Sequence, residues 1–387
     1  MSELKVILSL DAIRPPLAGI GRYAHELAKG LLIHPAIEQV RFQFRLGWID
    51  NPDIVLLRCA DQVARDSGAG GLSRSVAYPL LRSVARRVSP TFKLARCIRF
   101  RDHLYHSPNY ELPPFPGQRI STVHDLSVFR HPEFHPDERV QHMRRIFPSM
   151  LARGDLFLTD SEFSRREILD YCSLSEDRVV AVHLGVDARY QPLDVGLADP
   201  VLRRYGLRYG EYALSVGTIE PRKNLERLIE AYRSLPDAIK RGCPLVLVGN
   251  EGWHSAAIHV QISEGQSEGW LRYLAYVNEG DLPALYTGAR LFACVSVYEG
   301  FGLPVLEAMA SGVPVVCSDC ASLPEVGGQA VRYVDPLDVE SIREGVLALL
   351  TNNSECSNRA AMGLAQSQQF TWKRTVNETV SAYARLV

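Results

Sequence analysis

The sequence predicts an α/β protein built from two doubly wound domains that face a central cleft. Three observations carry that expectation. Short apolar runs of strand length alternate with helix-length amphipathic segments along the whole chain, the pattern of layered α/β units. In the second half those runs are almost free of polar residues, as parallel strands buried on both faces are. The 387 residues also exceed a single domain of ~100–200 residues.

Composition narrows the class. Hydrophobic residues make up 46% and charged residues 22%, with a formal charge of −1. That profile excludes a disordered chain, a collagen and a disulfide-stapled mini-protein. No uncharged apolar run approaches the ~18–20 residues of a membrane span. The start, Met1-Ser2-Glu3-Leu4-Lys5, lacks the layout of a signal peptide, so a cytoplasmic protein is expected. Of eight cysteines only Cys317 and Cys320 form a Cys-x-x-Cys pair. With no second pair or Cys/His cluster nearby, they read as two thiols at the end of a buried strand, and no metal site is expected.

The elements follow in order. Lys5 to Leu10 reads as a buried strand, Pro15 to Gly21 as a turn and Arg22 to Leu32 as a helix. Ile120 to Asp125 is an apolar run ending in two polar residues, and Leu156–Thr159 and Val179–His183 are further strands. Arg189 to Arg208, with Pro192, Pro200 and no sustained periodicity, reads as the linker. Beyond it Tyr212–Val216, Leu245–Val248, Leu271–Val277, Leu291–Val297 and Pro314–Cys317 are strand-like. Asn224–Ser234, Asp281–Ala289, Leu303–Ser311 and Val339–Leu350 are helix-like. The expected domains are 1–190 and 205–370, with 371–387 a terminal helix returning to the first domain. Ligands of such sheets bind in the crevice at the carboxyl ends of the strands.

The most informative segment is Ser296-Val-Tyr-Glu299-Gly300-Phe301-Gly302-Leu303-Pro304-Val-Leu-Glu307. A strand ends, a glycine-flanked loop follows, and a helix opens with proline in its first turn, where proline is favoured. Free N–H groups and the helix dipole there suit an anion. Glu299 would face a sugar beside the phosphates and Glu307 would reach ribose hydroxyls. The bland alternative is a loop–helix corner with surface acids. Gly19 and Gly21 permit close backbone approach to a phosphate or sugar, and Arg222-Lys223 offer cations to a diphosphate. His124 closes an apolar strand, and Asp125 would either orient its imidazole or cap the next segment.

Taken together these segments resemble the retaining glycosyltransferases of family 4. Glu299-x7-Glu307 is similar to that family's paired-acid signature, and Ala18-Gly19-Ile-Gly21-Arg22-Tyr23 to its glycine-rich loop. Val123-His124-Asp125, Thr159-Asp160-Ser161-Glu-Phe163-Ser164 and His183-Leu-Gly185-Val-Asp187 match further motifs in family order. So do Gly217-Thr218-Ile-Glu220-Pro-Arg222-Lys223-Asn224 and Ser322-Leu-Pro324-Glu325. The resemblance runs from about Val6 to Tyr383 and implies the GT-B fold, two Rossmann-like domains with the acceptor on the first and the nucleotide sugar on the second.

It further implies transfer of a sugar from a nucleoside diphosphate sugar to a hydroxyl with retention at the anomeric carbon, without metal or other cofactor. Implied donor contacts are Gly19, Gly21, Lys223, Val277, Gly300, Phe301, Gly302, Leu303 and Glu307, with His124 and Glu299 beside the reacting sugar. Many members carry Arg directly after the strand-end glycine; here that place is Thr218, so Arg222 is expected to supply the second cation. The motif forms most resemble mannosyltransferases of bacterial O-antigen or surface polysaccharide synthesis. GDP-mannose is therefore the first expected donor, ahead of GDP-rhamnose and UDP-sugars, with an oligosaccharide or lipid-linked acceptor. Rival readings are a nucleotide-sugar epimerase or sugar-phosphate synthase of the same fold, and a non-catalytic dinucleotide- or membrane-binding module. The last lacks a full Gly-x-Gly-x-x-Gly, since Ala24 takes the third place.

One stretch stands apart. From Ser67 to Arg101 there is no acid, and Arg74, Arg82, Arg86, Arg87, Lys93, Arg96, Arg99 and Arg101 interleave with apolar residues. Residues 72–101 thus suit either a solvated basic face or peripheral contact with an anionic membrane, at the inner face of the plasma membrane. Nucleic acid is not an expected partner, because no accompanying recognition motif occurs.

Overall fold

The computed structural model describes residues 4–14, 17, 19–57 and 97–387. The basic stretch before Cys97 lies outside the described residues. Two sheets organise the chain. The first holds β1 (Leu4–Ser9), β2 (Ile37–Phe44), β3 (Gly47–Ile49), β4 (Leu104–Ser107), β5 (Arg119–Thr122), β6 (Leu156–Thr159) and β7 (Val179–Ala181). Their order is β3-β2-β1-β4-β5-β6-β7, parallel except for the β2–β3 pair. The second holds β8 (Ala213–Val216), β9 (Leu245–Val248), β10 (Leu271–Leu274), β11 (Leu291–Cys294), β12 (Val315–Ser318) and β13 (Arg332–Val334). It is wholly parallel in the order β10-β9-β8-β11-β12-β13. Strand order reverses at β1/β4 and β8/β11, and such switch points open a crevice at the strands' carboxyl ends.

The period of two along a strand explains why the apolar runs are unbroken. In β1, Val6 and Leu8 pack with Tyr23, Leu27 and Leu31 of the helix Ile20–Ile33, while Ile7 joins Phe147, Met150 and Phe157 on the other face. In β9, Val246 and Val248 face one core and Leu245 and Leu247 another that contains Leu228 and Trp270. Both faces of each sheet are covered, so apolar side chains are needed on both.

Three expectations need correction. The segment Arg189–Arg208 is not structureless, because Val195–Arg204 forms a ten-residue helix despite Pro200. Ala198 and Leu202, one turn apart, are fully buried on the neighbouring helix Leu282–Thr287, and Leu202 fills the space a side chain at Gly288 would take. Tertiary burial outweighs the lost proline hydrogen bond. The strand expected over Leu271–Val277 also stops at Leu274, so Val277 lies in the loop beyond it, buried in the core. The strand expected over Leu291–Val297 likewise stops at Cys294, and the chain beyond it belongs to the loop that carries Glu299.

The last helix, Trp372–Tyr383, is capped by Thr371, whose hydroxyl accepts from the Arg374 amide at 3.2 Å. It packs on Ile20–Ile33 closely enough that any side chain at Gly30 would collide with Val376. Tyr383 bonds His106 Nδ1 at 2.7 Å, and Thr375 donates to the His183 carbonyl at 2.7 Å.

Candidate active site

The site is assembled where β8 and β11 end. After β8 the chain makes a short 3₁₀ turn, Pro221–Lys223, closed by Asn224 in the left-handed region (φ 57°). Asn224 donates through Nδ2 to the Val295 and Pro336 carbonyls at 2.9 and 2.7 Å, which ties the turn to the exit of β11. The Val297 amide donates to the Arg222 carbonyl at 3.0 Å. The two cations are thereby held against the loop that carries Glu299.

Glu299 is buried, and both of its carboxylate oxygens are hydrogen-bonded. Its Oε1 accepts from Lys223 Nζ at 2.6 Å and from Ser296 Oγ at 2.7 Å, and its Oε2 accepts from Arg222 Nη1 at 2.8 Å. Burial by itself would raise its pKa, but the adjacent Lys223 and Arg222 charges prevail and hold it at about 2. Arg222 also donates from Nε and Nη2 to Glu220 Oε1 at 3.1 and 2.7 Å, and from Nη1 to the Tyr298 carbonyl at 2.9 Å.

The glycine-flanked loop is wedged against the first domain. The Gly300 carbonyl accepts from Ser161 Oγ at 2.7 Å and Ser164 Oγ at 3.2 Å. A side chain on Gly300 would overlap the His124 carbonyl, so only glycine permits this approach. Phe301 is buried beside His183 and Phe370. Gly302, at φ 116°, precedes the helix Leu303–Ala310, with Pro304 in its first turn. One turn on, Glu307 Oε2 accepts from Tyr286 at 2.9 Å. Burial raises the Glu307 pKa; hydrogen bonds from Tyr286 and Tyr190 and the charges of Arg22 and Arg189 oppose this without overcoming it.

The glycine-rich loop meets this end of the cleft through Arg22. That buried guanidinium pairs with Asp187 at 2.9 Å and with Glu279, which also receives Arg189 at 2.5 Å. Gly19 takes φ +46° as the residue before the helix, and a side chain at Gly21 would approach the Ala12 carbonyl to 3.2 Å. Val277 sits two residues before Glu279 in the same loop.

His124 behaves differently from the expectation for its neighbour. Its Nδ1 faces Asp160 Oδ2 at 2.7 Å and its Nε2 faces the Pro108 carbonyl at 3.1 Å. Asp160, not Asp125, orients the ring; Asp125 instead accepts from the Ser127 amide at 2.9 Å. With acceptors at both nitrogens the doubly protonated ring is favoured, and the His124 pKa rises although burial pulls it down. His124 therefore joins the site through its backbone at Gly300, while its ring nitrogens point to first-domain acceptors.

Sequence reasoning missed Asp160, Glu220, Tyr286 and Ser296 as partners of the singled-out residues. Asp160 carries a signal that would have found it. It follows β6, the neighbour of β5 in the sheet, so it lies beside the residues that follow β5, His124 among them. Cys317 is buried in β12 and Cys320 is half-buried beyond it, both free thiols.

Two Rossmann-like sheets, parallel but for the β2–β3 edge, with a charged site at their strand ends, are the architecture of the GT-B glycosyltransferases. The profile described as "Glycosyl transferases group 1" matches residues 208–366. Over 387 residues, 99% of this chain and 100% of the relative, the sequence is 40% identical to "O-antigen chain mannosyltransferase B" of Escherichia coli. Among solved structures, sucrose-phosphate synthase from Thermosynechococcus elongatus superposes with a TM-score of 0.71 at 17% identity, covering 99% of both chains. Anabaena HepE in complex with UDP-glucose gives 0.72 at 15% identity, covering 99% of this chain and 100% of that one. The chain belongs to the group 1 glycosyltransferases.

Proposed function

We propose that this protein transfers mannose from GDP-mannose to a saccharide acceptor on a lipid carrier, with retention at the anomeric carbon, in O-antigen synthesis. The observation that carries the transfer chemistry is the pairing of Lys223 with Glu299 at 2.6 Å, at the β8/β11 switch point. A cation there meets the charge that develops on a departing diphosphate, and a carboxylate beside it holds sugar hydroxyls. The bond from C1 to the diphosphate oxygen breaks as the acceptor oxygen bonds C1 on the same face. The acceptor proton passes to the departing diphosphate. Glu307 would hold the ribose, and the loop at Val277 the base. The choice of mannose and of the pathway is supported by the full-length likeness to the Escherichia coli mannosyltransferase.

The test is a donor screen with purified protein and acceptor, reading GDP or UDP release and the anomeric configuration of the product by NMR. GDP-mannose is expected to turn over at least ~10-fold faster than UDP-glucose, since a donor site discriminates through the groups that hold its base and sugar. Turnover is expected to persist in EDTA; loss restored by Mg²⁺ would refute a metal-free mechanism.

Peripheral membrane contact through 72–101 belongs to the same proposal. Among the described residues no helix is long and apolar enough to cross a membrane. Each basic residue near an anionic surface contributes about 1 kcal/mol. Replacing Arg82, Arg86, Arg87 and Arg96 with Ser should abolish sedimentation with anionic liposomes at low salt while GDP binding persists.

A further inference from the structure

The expected pair of diphosphate cations is not symmetric. Arg222 offers five N–H donors in a rigid plane. Four are committed: Nε and one Nη2 hydrogen to Glu220, and both Nη1 hydrogens to Tyr298 O and Glu299. Its charge is shared between two carboxylates, at 2.7 and 2.8 Å. Lys223 makes one such bond, to Glu299, and keeps two N–H groups among the described residues. Its side chain runs past Gly217 into the small cleft lined by Ser215 and Ser296.

Glu220 completes the argument. It is buried at 3% exposure, and among the described residues its carboxylate bonds Arg222 alone. A buried carboxylate is costly unless paired, so a side chain spent wholly on one guanidinium acts as its clamp. The clamp fixes the Nη1 end, which reaches Glu299 and the backbone of the same loop.

We infer that Arg222 is a positioning residue for Glu299, gripped by Glu220, and that Lys223 is the one of the two cations left to meet the departing diphosphate. The inference rests on the glycosyl-transfer reading above and assigns a division of labour within that site. Arg222 then governs where the Glu299 carboxylate stands and how firmly it stays ionised, and Lys223 governs diphosphate affinity.

The experiment compares Lys223→Gln, Arg222→Gln and Glu220→Gln by calorimetric binding of GDP and UDP and by kcat of transfer. Lys223→Gln should weaken diphosphate binding about tenfold or more, because a charge-assisted contact is lost. Arg222→Gln should leave that affinity within about threefold while lowering kcat, the sign of an interaction made in the transition state. An affinity loss in Arg222→Gln equal to that in Lys223→Gln, or an unchanged kcat, overturns the inference. Glu220→Gln changes one atom and covers the case in which Arg222→Gln does not fold. It should lower kcat at unchanged diphosphate affinity, and an unchanged kcat overturns the clamp. Wild type binding UDP instead of GDP refutes only the donor assignment, and the same ratios are then read with UDP. Wild type binding neither refutes the transfer reading and this inference with it.

Discussion

Glu299, buried, and Glu307, half-buried, are eight residues apart, yet their surroundings drive them in opposite directions. The loop that carries Glu299 is packed against two cations and a serine hydroxyl, and its carboxyl is held at about 2. The helical turn that carries Glu307 offers chiefly the phenols of Tyr286 and Tyr190, with Arg22 and Arg189 further away, and its pKa rises. Loss of water pushes both upward. What differs is whether a full positive charge is within bonding distance, because a phenol donates one hydrogen bond but offsets no charge. Glu299 is thus built to remain an anion, whereas Glu307 is held as a costly one, ready to exchange phenol partners for ligand hydroxyls.

Three substitutions sharpen or break this contrast. The largest effect is expected from Glu299→Gln, which leaves the half-buried Lys223 and Arg222 without their shared partner. Removing one member of a buried pair costs about 3–5 kcal/mol, so chemical denaturation at pH 7 should show a loss of that order, with transfer falling ~100-fold or more. A carboxyl with a depressed folded-state pKa stabilises above its unfolded value and loses that contribution as pH falls. The gap between wild type and variant should therefore shrink between pH 4.5 and about 2. Wild-type stability in Glu299→Gln would break the contrast outright.

Tyr286→Phe comes next. It removes the hydroxyl 2.9 Å from Glu307 and should cost about 1 kcal/mol at pH 7, the usual worth of a hydrogen bond to a buried group. The Glu307 pKa rises in the folded state, so the wild-type protein already gains stability from its protonation as pH falls. The loss in Tyr286→Phe should accordingly be smaller at pH 5 than at pH 7, and a loss independent of pH would show that the hydroxyl does not act on Glu307. Glu307→Gln should have the least effect on stability, within about 0.5 kcal/mol at pH 7, because the amide oxygen still accepts from Tyr286 and no charge remains buried. It should nevertheless weaken GDP binding about threefold to tenfold, as loss of one ligand hydrogen bond does. A large destabilisation would mean that Glu307 is a structural anion like Glu299.

Much of this site is legible before folding. The loop before Leu303, its two acids and the cations at Arg222 and Lys223 stand at strand ends that apolar periodicity alone locates. Most helix and strand types in the second half follow from the same pattern, with bounds shifted by a residue or two except where strands stop three residues early, at Leu274 and Cys294; the helices Ala256–Ser267 and Asn353–Ser367 escape it. The first sheet is harder to read. β2 has mixed, half-buried residues at its edge, and β3 has only three residues. The helix Val195–Arg204 escapes because Pro200 and weak periodicity hide it, and only its buried face on Leu282–Thr287 stabilises it.

Local chemistry by itself determined the alternation of strand and helix, the burial of both sheet faces, and which residue types stand at the strand ends, since each depends on neighbours a few positions away. Which charge meets which was decided only by the tertiary structure. Asp160 reaches His124 across 36 residues and Glu299 reaches Lys223 across 76, because parallel strands far apart in the chain end side by side. Glu220, only two residues from Arg222, is no exception: its grip matters because the other end of that guanidinium is already committed to Tyr298 and Glu299. An ionisable side chain takes its state from the charges and solvent within a few ångströms, and in a doubly wound fold those come from strands that the sequence places far away.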